Sequence, residues 1–196
     1  MRAGLLAVAA ATVILDGCGQ SADEQAANVA AAKNAQVLPV TDDQAMVAAP
    51  SSEAMLQSMQ APPLAHDAAV ARMHERHEGM EKIGKANKAA ALTLKSGSPD
   101  LAVVRSSAAT IASLAVKTPT WFPAGTGPDV GKTGAKPEIW KKPADVVAKD
   151  TAFQQAALAF DAAAKSGDMA AINARFGELG KTCKACHDPY RSEMHH

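Results

Sequence analysis

Hydrophobic residues recur at alternating steps of three and four in four segments that follow residue 65. The segments cover residues 66–95, 100–116 and 143–165, and the last one runs from Asp168 towards the C-terminus. In the first segment the recurrent positions are Val70, Met73, His77, Met80, Gly84, Asn87, Ala91 and Leu94, and in the second they are Leu101, Val104, Ala108, Ile111 and Ala115. In the third segment they are Val146, Asp150, Phe153, Ala157, Phe160 and Ala164, and in the fourth Met169, Ile172, Phe176, Leu179, Cys183 and Cys186. Such steps place residues on one face of an α-helix. The pattern predicts an all-α fold, an antiparallel four-helix bundle over residues 66–196.

The predicted inner face of the first helix contains residues that fill a core poorly. His77, Gly84 and Asn87 stand among its apolar positions. We therefore expect that something other than side chains occupies part of the interior of the bundle.

The N-terminus has the pattern of an export signal. Arg2 precedes an apolar stretch over residues 3–15, which is too short to span a bilayer but suits a secretory signal. The stretch ends at Leu15-Asp16-Gly17-Cys18, which resembles the bacterial lipoprotein box, although Asp16 stands where that box has a small residue. We predict a signal peptide over residues 1–17 and lipidation of Cys18. An ordinary signal peptide with an unrelated cysteine is the alternative.

Residues 18–65 lack a sustained apolar period. Ala, Gln, Ser, Asp and Pro dominate there, and Pro50, Pro62 and Pro63 interrupt the chain. Such a segment has little apolar surface to bury. We predict a disordered, flexible linker that joins the lipid anchor to the bundle.

Composition removes several classes of protein. Twenty Lys and Arg balance twenty Asp and Glu, so the net charge is zero and there is no electrostatic case for binding nucleic acid. Aromatic residues make up 4% of the chain, which disfavours an all-β fold. No nucleophile triad, phosphate-binding loop or paired-carboxylate arrangement is recognisable. We expect a carrier or binding protein and not an enzyme.

The sequence Cys183-Lys184-Ala185-Cys186-His187 carries the candidate chemistry. A C-x-x-C-H string is the attachment signature of c-type haem, in which two thioethers hold the porphyrin and the histidine reaches the iron. The three residues share one helix face. A thioredoxin-type pair would need a helix N-terminus after a strand, and a zinc site would need further ligands, for which His195 and His196 lie too near the chain end. A plain disulfide is the remaining alternative.

The bundle pattern together with these motifs resembles cytochrome c′ and its low-spin, methionine-ligated relatives, the class II c-type cytochromes. The C-x-x-C-H string continues as Asp188-Pro189-Tyr190-Arg191, and the first helix carries Arg76-x-x-x-Met80 with Ile83-Gly84. The connecting strings Trp121-Phe122-Pro123-Ala124-Gly125-Thr126 and Ala135-Lys136-Pro137-Glu138-Ile139-Trp140 are also similar to the family. The resemblance runs from about residue 66 to the C-terminus and implies one covalent haem c.

The resemblance also implies a role for each site residue. The cofactor-binding residues are then Cys183, Cys186, His187, Arg76, Met80 and Arg191. His187 is the proximal iron ligand, and Met80 lies on the other side of the iron. Arg76 lies near the haem propionates and Arg191 beside His187. On the predicted register His77 also faces the interior, which makes it an alternative second ligand.

The sixth coordination position of the iron separates two functions. If Met80 binds the iron, the protein is a one-electron carrier with His/Met ligation, which is our main hypothesis. If Met80 only lines the pocket, the protein is a five-coordinate cytochrome that binds NO or CO. We expect a periplasmic location, tethering to a membrane through Cys18, and redox partners in the periplasm or membrane. A homodimer is a further expectation from the family.

Overall fold

The computed structural model describes residues 51–193, which contain six α-helices and one short 3-10 helix. The helices are α1 (Ser52–Gln60), α2 (His66–Leu94), α3 (Leu101–Ala115), the 3-10 helix (Thr118–Thr120), α4 (Glu138–Lys141), α5 (Pro143–Ser166) and α6 (Met169–Tyr190). Within this part of the chain, no helix combines the length and apolarity needed to cross a membrane. The predicted signal peptide, Cys18, most of the predicted linker, His195 and His196 lie outside the described residues.

Helices α2, α3, α5 and α6 form the predicted antiparallel four-helix bundle. Asp100 caps α3, and its carboxylate accepts the backbone N–H of Ala102 at 2.8 Å. Asp168 caps α6 in the same way, with Ala170 N–H at 2.9 Å. Gly167 ends α5 with a left-handed φ of 78°, a conformation that glycine adopts without strain. This tight reversal makes α5 and α6 antiparallel neighbours.

The inner faces of α3, α5 and α6 are confirmed. The main core contains apolar residues from all three helices, which are Val104, Ala108, Ile111, Ala115, Ala157, Phe160, Ala164, Ile172 and Leu179. Phe160 packs against Phe176 with ring centroids 5.3 Å apart. Alanine is frequent at these positions, so the helices can approach closely and the core stays small.

The predicted inner face of α2 is wrong by about one position. The buried residues of α2 are Ala69, Met73, Arg76, Gly79, Ile83 and Ala90. His77 is exposed. Gly84 is exposed as well, and a Cβ there would meet no atom within 4 Å, so no neighbouring segment requires glycine at this position. At Gly79, by contrast, only glycine fits without a clash, because a Cβ there would overlap the ring of Trp121, which is 1% exposed.

Part of the predicted flexible linker, residues 18–65, is an ordered helix, so that prediction is wrong for α1. Ser51 caps α1, and Met55 and Met59 are 1% and 4% exposed because they pack against Ile139, Val146 and Tyr190. The segment is also tied to a loop of the bundle, since Ala124 N–H donates to Ser58 O at 3.0 Å and Leu64 N–H donates to Ala124 O at 3.1 Å. The ordered part of the domain therefore begins one helix before the four-helix bundle that the sequence pattern predicts.

Candidate functional site

A cavity of about 830 Å³ opens between α2 and α6. Side chains from α2, the loop over residues 131–135, α5 and α6 form its walls. This volume lies in the range of sites that hold a small molecule or cofactor. The cavity brings together every site residue predicted from the sequence, which are Arg76, Met80, Cys183, Cys186, His187 and Arg191.

The C-x-x-C-H residues lie on the last turns of α6. Cys183 and Cys186 are half-buried free cysteines, and burial raises the pKa of both thiols, that of Cys186 to about 11. They are therefore protonated near neutral pH, unlike the activated thiolate of a thioredoxin-type site. Their place at the C-terminal end of a helix also differs from such a site. A redox C-x-x-C pair is not what this environment favours.

His187 follows the two cysteines on the same wall of the cavity. Burial lowers the pKa of its imidazole, and the positive charge of Arg191 acts in the same direction. Arg191 Nη1 lies 3.5 Å from His187 Nδ1, so the two residues are neighbours as predicted. A neutral imidazole keeps a nitrogen lone pair for a metal. Within residues 51–193, no three His, Cys, Asp or Glu side chains are grouped to hold a metal ion by themselves.

Hydrogen bonds hold the end of α6 against the rest of the domain. Tyr190 O accepts from Lys136 N–H at 2.9 Å, and Ser192 N–H donates to Gly134 O at 2.9 Å. The Tyr190 hydroxyl donates to the Asp145 carboxylate of α5. Burial and this bond raise the pKa of Tyr190 to about 12, so the donor stays protonated. These contacts fix the helix turn that carries His187.

Arg76 is a buried cation that ties α2 to the connecting loop. It is 5% exposed, and its two terminal nitrogens donate to Trp121 O at 3.0 Å and to Thr126 Oγ1, Thr126 O and Thr133 Oγ1 at 3.2, 2.9 and 3.0 Å. Its guanidinium carbon also lies 5.2 Å from the centre of the Phe122 ring. Burial lowers the pKa of Arg76 to about 10. Among the described residues no carboxylate forms an ion pair with it, so the cavity wall carries a positive charge balanced only by neutral acceptors.

Met80 and His77 have different environments on α2. Met80 is partly buried, lines the cavity and packs against the main core. The His77 side chain is 58% exposed, and its Nε2 lies 3.6 Å from Glu81 Oε1. The prediction that His77 faces the interior is wrong, because the buried face of α2 runs through Arg76 and Gly79 instead. His77 lies only at the rim of the cavity.

Asp150 and Tyr190 also line the cavity, although the sequence analysis does not predict them as site residues. Asp150 lines it and is 9% exposed, and Gln154 Nε2 donates to its Oδ2 at 2.6 Å. The available signal was a lone carboxylate on the apolar face of the third helical pattern. Tyr190 had no such signal, since its burial depends on contacts with α1 and α5.

Comparisons with known proteins agree with this geometry. The family model described as Cytochrome C′ matches residues 71–191. Cytochrome c′ of Rhodospirillum rubrum is 41% identical over 109 residues, which are 54% of this chain and 71% of that protein. Cytochrome c′ of Alcaligenes xylosoxydans xylosoxydans is 42% identical over 73 residues, 37% of this chain and only 56% of that relative.

Solved structures are similar over the whole bundle. A ferrous cytochrome c′ variant from Alcaligenes xylosoxidans with bound NO aligns with a TM-score of 0.58 and 28% identity. The alignment covers 64% of this chain and 97% of that chain. The matched fold, the family match over residues 71–191 and the C-x-x-C-H residues in the cavity wall agree with one another. The chain belongs to the cytochrome c′ family, whose members carry covalently bound haem c.

Proposed function

We propose that this protein is a periplasmic c-type haem protein that binds NO or CO. The observation that carries the proposal is the cavity between α2 and α6, with Cys183, Cys186 and His187 together on one wall. In this proposal the two cysteines form the thioether bonds and His187 is the protein ligand of the iron. A bound haem supplies an iron that exchanges one electron and takes a diatomic ligand.

The residues present fit such a group in chemistry and charge. Both thiols are free and border the cavity, so each can add across a vinyl group, and burial lowers the pKa of His187 towards the neutral imidazole that binds a metal. Arg76 places a positive charge in the wall without a carboxylate partner among the described ion pairs. A haem propionate is an anion that would balance this charge. Arg191 holds a second positive charge beside His187.

The α2 wall of the cavity favours a small neutral ligand. Its inner positions present the apolar side chains of Val70, Met80 and Ile83, whereas its polar residues His74, His77 and Glu81 are exposed to solvent. The four N–H groups on the terminal nitrogens of Arg76 already donate to the connecting loop. A wall with few free donors suits NO and CO, which bind haem iron without hydrogen bonds, better than it suits stabilised O₂. The NO complex of a structurally similar cytochrome c′ supports the same reading.

The electron carrier with His187 and Met80 as ligands is the second candidate. Its support is the position of the Met80 thioether in the cavity wall on α2, the helix that faces α6 across the cavity. His/Met ligation raises the reduction potential of a haem. The sequence alone favours this electron carrier as the main hypothesis. The family comparisons favour the gas-binding hypothesis instead.

Spectra of the matured protein with and without CO separate the two candidates. The gas-binding protein has a broad, high-spin ferrous spectrum that CO converts, and Met80→Ala changes it little. The electron carrier has a sharp low-spin ferrous spectrum that is indifferent to CO until Met80→Ala opens the iron. Met73→Ala is the matched control, because Met73 is another methionine of α2 that lines the cavity.

We also propose export to the periplasm and a lipid anchor at Cys18. The support is the signal-like sequence before Cys18 and the match to a family of c-type cytochromes. Cell fractionation tests both points. Wild type is expected in the membrane fraction and Cys18→Ser in the periplasmic fraction. Wild type found free in the periplasm would exclude the anchor.

A further inference from the structure

Asp150 is a buried carboxylic acid in the wall of the cavity. It lies on α5, is 9% exposed and borders the same space as Cys186 and His187. Its Oδ2 accepts from Gln154 Nε2 at 2.6 Å, and the Thr118 hydroxyl lies beside it. Neither neighbour carries a charge. The haem attachment, the iron ligand and the Arg76 contacts described above do not use this group.

No cation neutralises Asp150 among the ion pairs of the described residues. The adjacent Lys149 turns instead to Asp145, with Nζ and Oδ1 3.2 Å apart. Burial raises the pKa of Asp150, and the hydrogen bond from Gln154 and the nearby Thr118 hydroxyl only partly oppose this. A carboxylate in such a place is sensitive to a change of charge within the cavity, because a buried group is screened less by solvent than an exposed one.

Other charged and titratable groups border the cavity, and each has a feature that separates it from Asp150. They are His74, Arg76, His77 and Glu81 on α2; Lys132 in the loop; Lys149 on α5; and Cys183, Cys186, His187, Tyr190 and Arg191 on α6. In the haem protein the S–H bonds of the cysteines would be consumed in thioether formation, and His187 would be bound to the iron. Arginine and lysine side chains as a class titrate far above carboxylic acids, and burial and the bond to Asp145 raise the pKa of Tyr190 to about 12. His74, His77 and Glu81 are exposed and therefore screened by solvent.

We propose that the Asp150 carboxylate takes up a proton from solvent when the haem in this cavity is reduced. This inference rests on the proposed function, since it requires haem in the cavity. An external one-electron donor gives one electron to the iron, which passes from ferric to ferrous. One proton from water adds to an Asp150 oxygen, so the cavity gains one electron and one proton and its net charge is unchanged.

The sign of the effect follows from the charges. The negative carboxylate stabilises the more positive ferric haem, so reduction makes Asp150 a weaker acid. The reduction potential therefore falls as pH rises between the pKa of Asp150 in the ferric protein and its higher pKa in the ferrous protein. It is flat below and above that window. One proton per electron corresponds to a fall of 59 mV per pH unit, a tenfold change in proton concentration for a one-electron couple.

The experiment is redox titration of the full-length haem protein, followed optically, from about pH 4 to 9. We expect a sloping segment in wild type and its loss in Asp150→Asn, which keeps the shape of the side chain and removes the proton. Asp161→Asn is the matched control. Asp161 is also on α5 and 9% exposed, but it pairs with Lys165 at 2.6 Å and does not line the cavity. Its slope is expected to equal that of wild type.

Two outcomes overturn the proposal. One is a potential of wild type that is flat with pH, and the other is an unchanged slope in Asp150→Asn. Should that variant fail to fold, the infrared difference spectrum between reduced and oxidised wild type decides. A carboxylic-acid C=O band that appears on reduction supports the proposal, and its absence refutes it. A protein without a haem spectrum refutes the proposed function instead.

Discussion

Gly79 is the point at which α2 packs directly on the connecting loop. A Cβ built there would overlap Cη2 and Cζ2 of Trp121 and lie 3.1 Å from Cζ3. The ring is 1% exposed and belongs to the main core, so it has no solvent to move into. We predict that Gly79→Ala destabilises the protein, although alanine is the better helix former.

The magnitude follows from two opposing terms. Replacing glycine by alanine inside a helix stabilises it by about 1 kcal/mol. Forcing a methyl group into a filled core costs about 1–3 kcal/mol and occasionally more. Because the overlap is with a rigid ring and not with the tip of a flexible side chain, we take the upper part of that range. The net loss is then about 2 kcal/mol, or roughly 6 °C in Tm for a domain of this size.

Gly84→Ala provides the control on the same helix. A Cβ at Gly84 meets nothing within 4 Å, so only the helix-propensity gain of about 1 kcal/mol remains. Urea unfolding of the haem protein, followed by far-ultraviolet circular dichroism, measures both variants. We expect Gly79→Ala to lower the free energy of unfolding and Gly84→Ala to raise it. A Gly79→Ala protein as stable as Gly84→Ala would refute this expectation.

Three further predictions concern α1, the end of α6 and the buried cation. Met55→Ala should lower the unfolding free energy by about 2–4 kcal/mol in urea unfolding, because Met55 is 1% exposed. Gln57→Ala on the exposed face of α1 should change it by less than about 0.5 kcal/mol. Equal effects would mean that α1 does not pack on the bundle. Tyr190→Phe removes the hydrogen bond that holds the pKa of Asp145 below its usual range. The variant should therefore lose about 1 kcal/mol of unfolding free energy at neutral pH, and this loss should disappear as acid protonates Asp145. A loss that stays the same from pH 7 down to the pH at which Asp145 is protonated would contradict this. Arg76→Lys leaves oxygen acceptors in the loop without donors and should lower the unfolding free energy by about 2–4 kcal/mol in the same assay. An unchanged unfolding free energy would show that Arg76 does not tie α2 to the loop.

The bundle and the haem motif could be predicted because their signals are local. The C-x-x-C-H spacing is set by covalent chemistry within five residues, and the faces of α3, α5 and α6 repeat over several turns. The cap of α6 is likewise local, because the Asp168 carboxylate accepts from a backbone N–H in the first turn of its own helix. None of these features depends on where a distant segment lies.

The register of α2 and the existence of α1 depend on distant contacts. Arg76 is buried only because Trp121, Thr126 and Thr133, far away in sequence, supply oxygen acceptors for it. A sequence pattern assigns arginine to the surface and so shifts the predicted inner face. The apolar surface of α1 consists chiefly of Met55 and Met59, too short a pattern to separate it from a linker before its partner Tyr190 is placed.

The gas-binding haem function is tested most directly by the optical spectrum of the matured full-length protein, recorded reduced and then reduced under CO, with a denatured sample beside it. We predict a haem spectrum that survives denaturation, because covalent attachment through Cys183 and Cys186 holds the haem, and a broad ferrous spectrum that CO converts. A sharp ferrous spectrum indifferent to CO would contradict the gas-binding function and favour ligation by Met80. Haem that separates from the chain on denaturation, or no haem at all, would contradict attachment through Cys183 and Cys186.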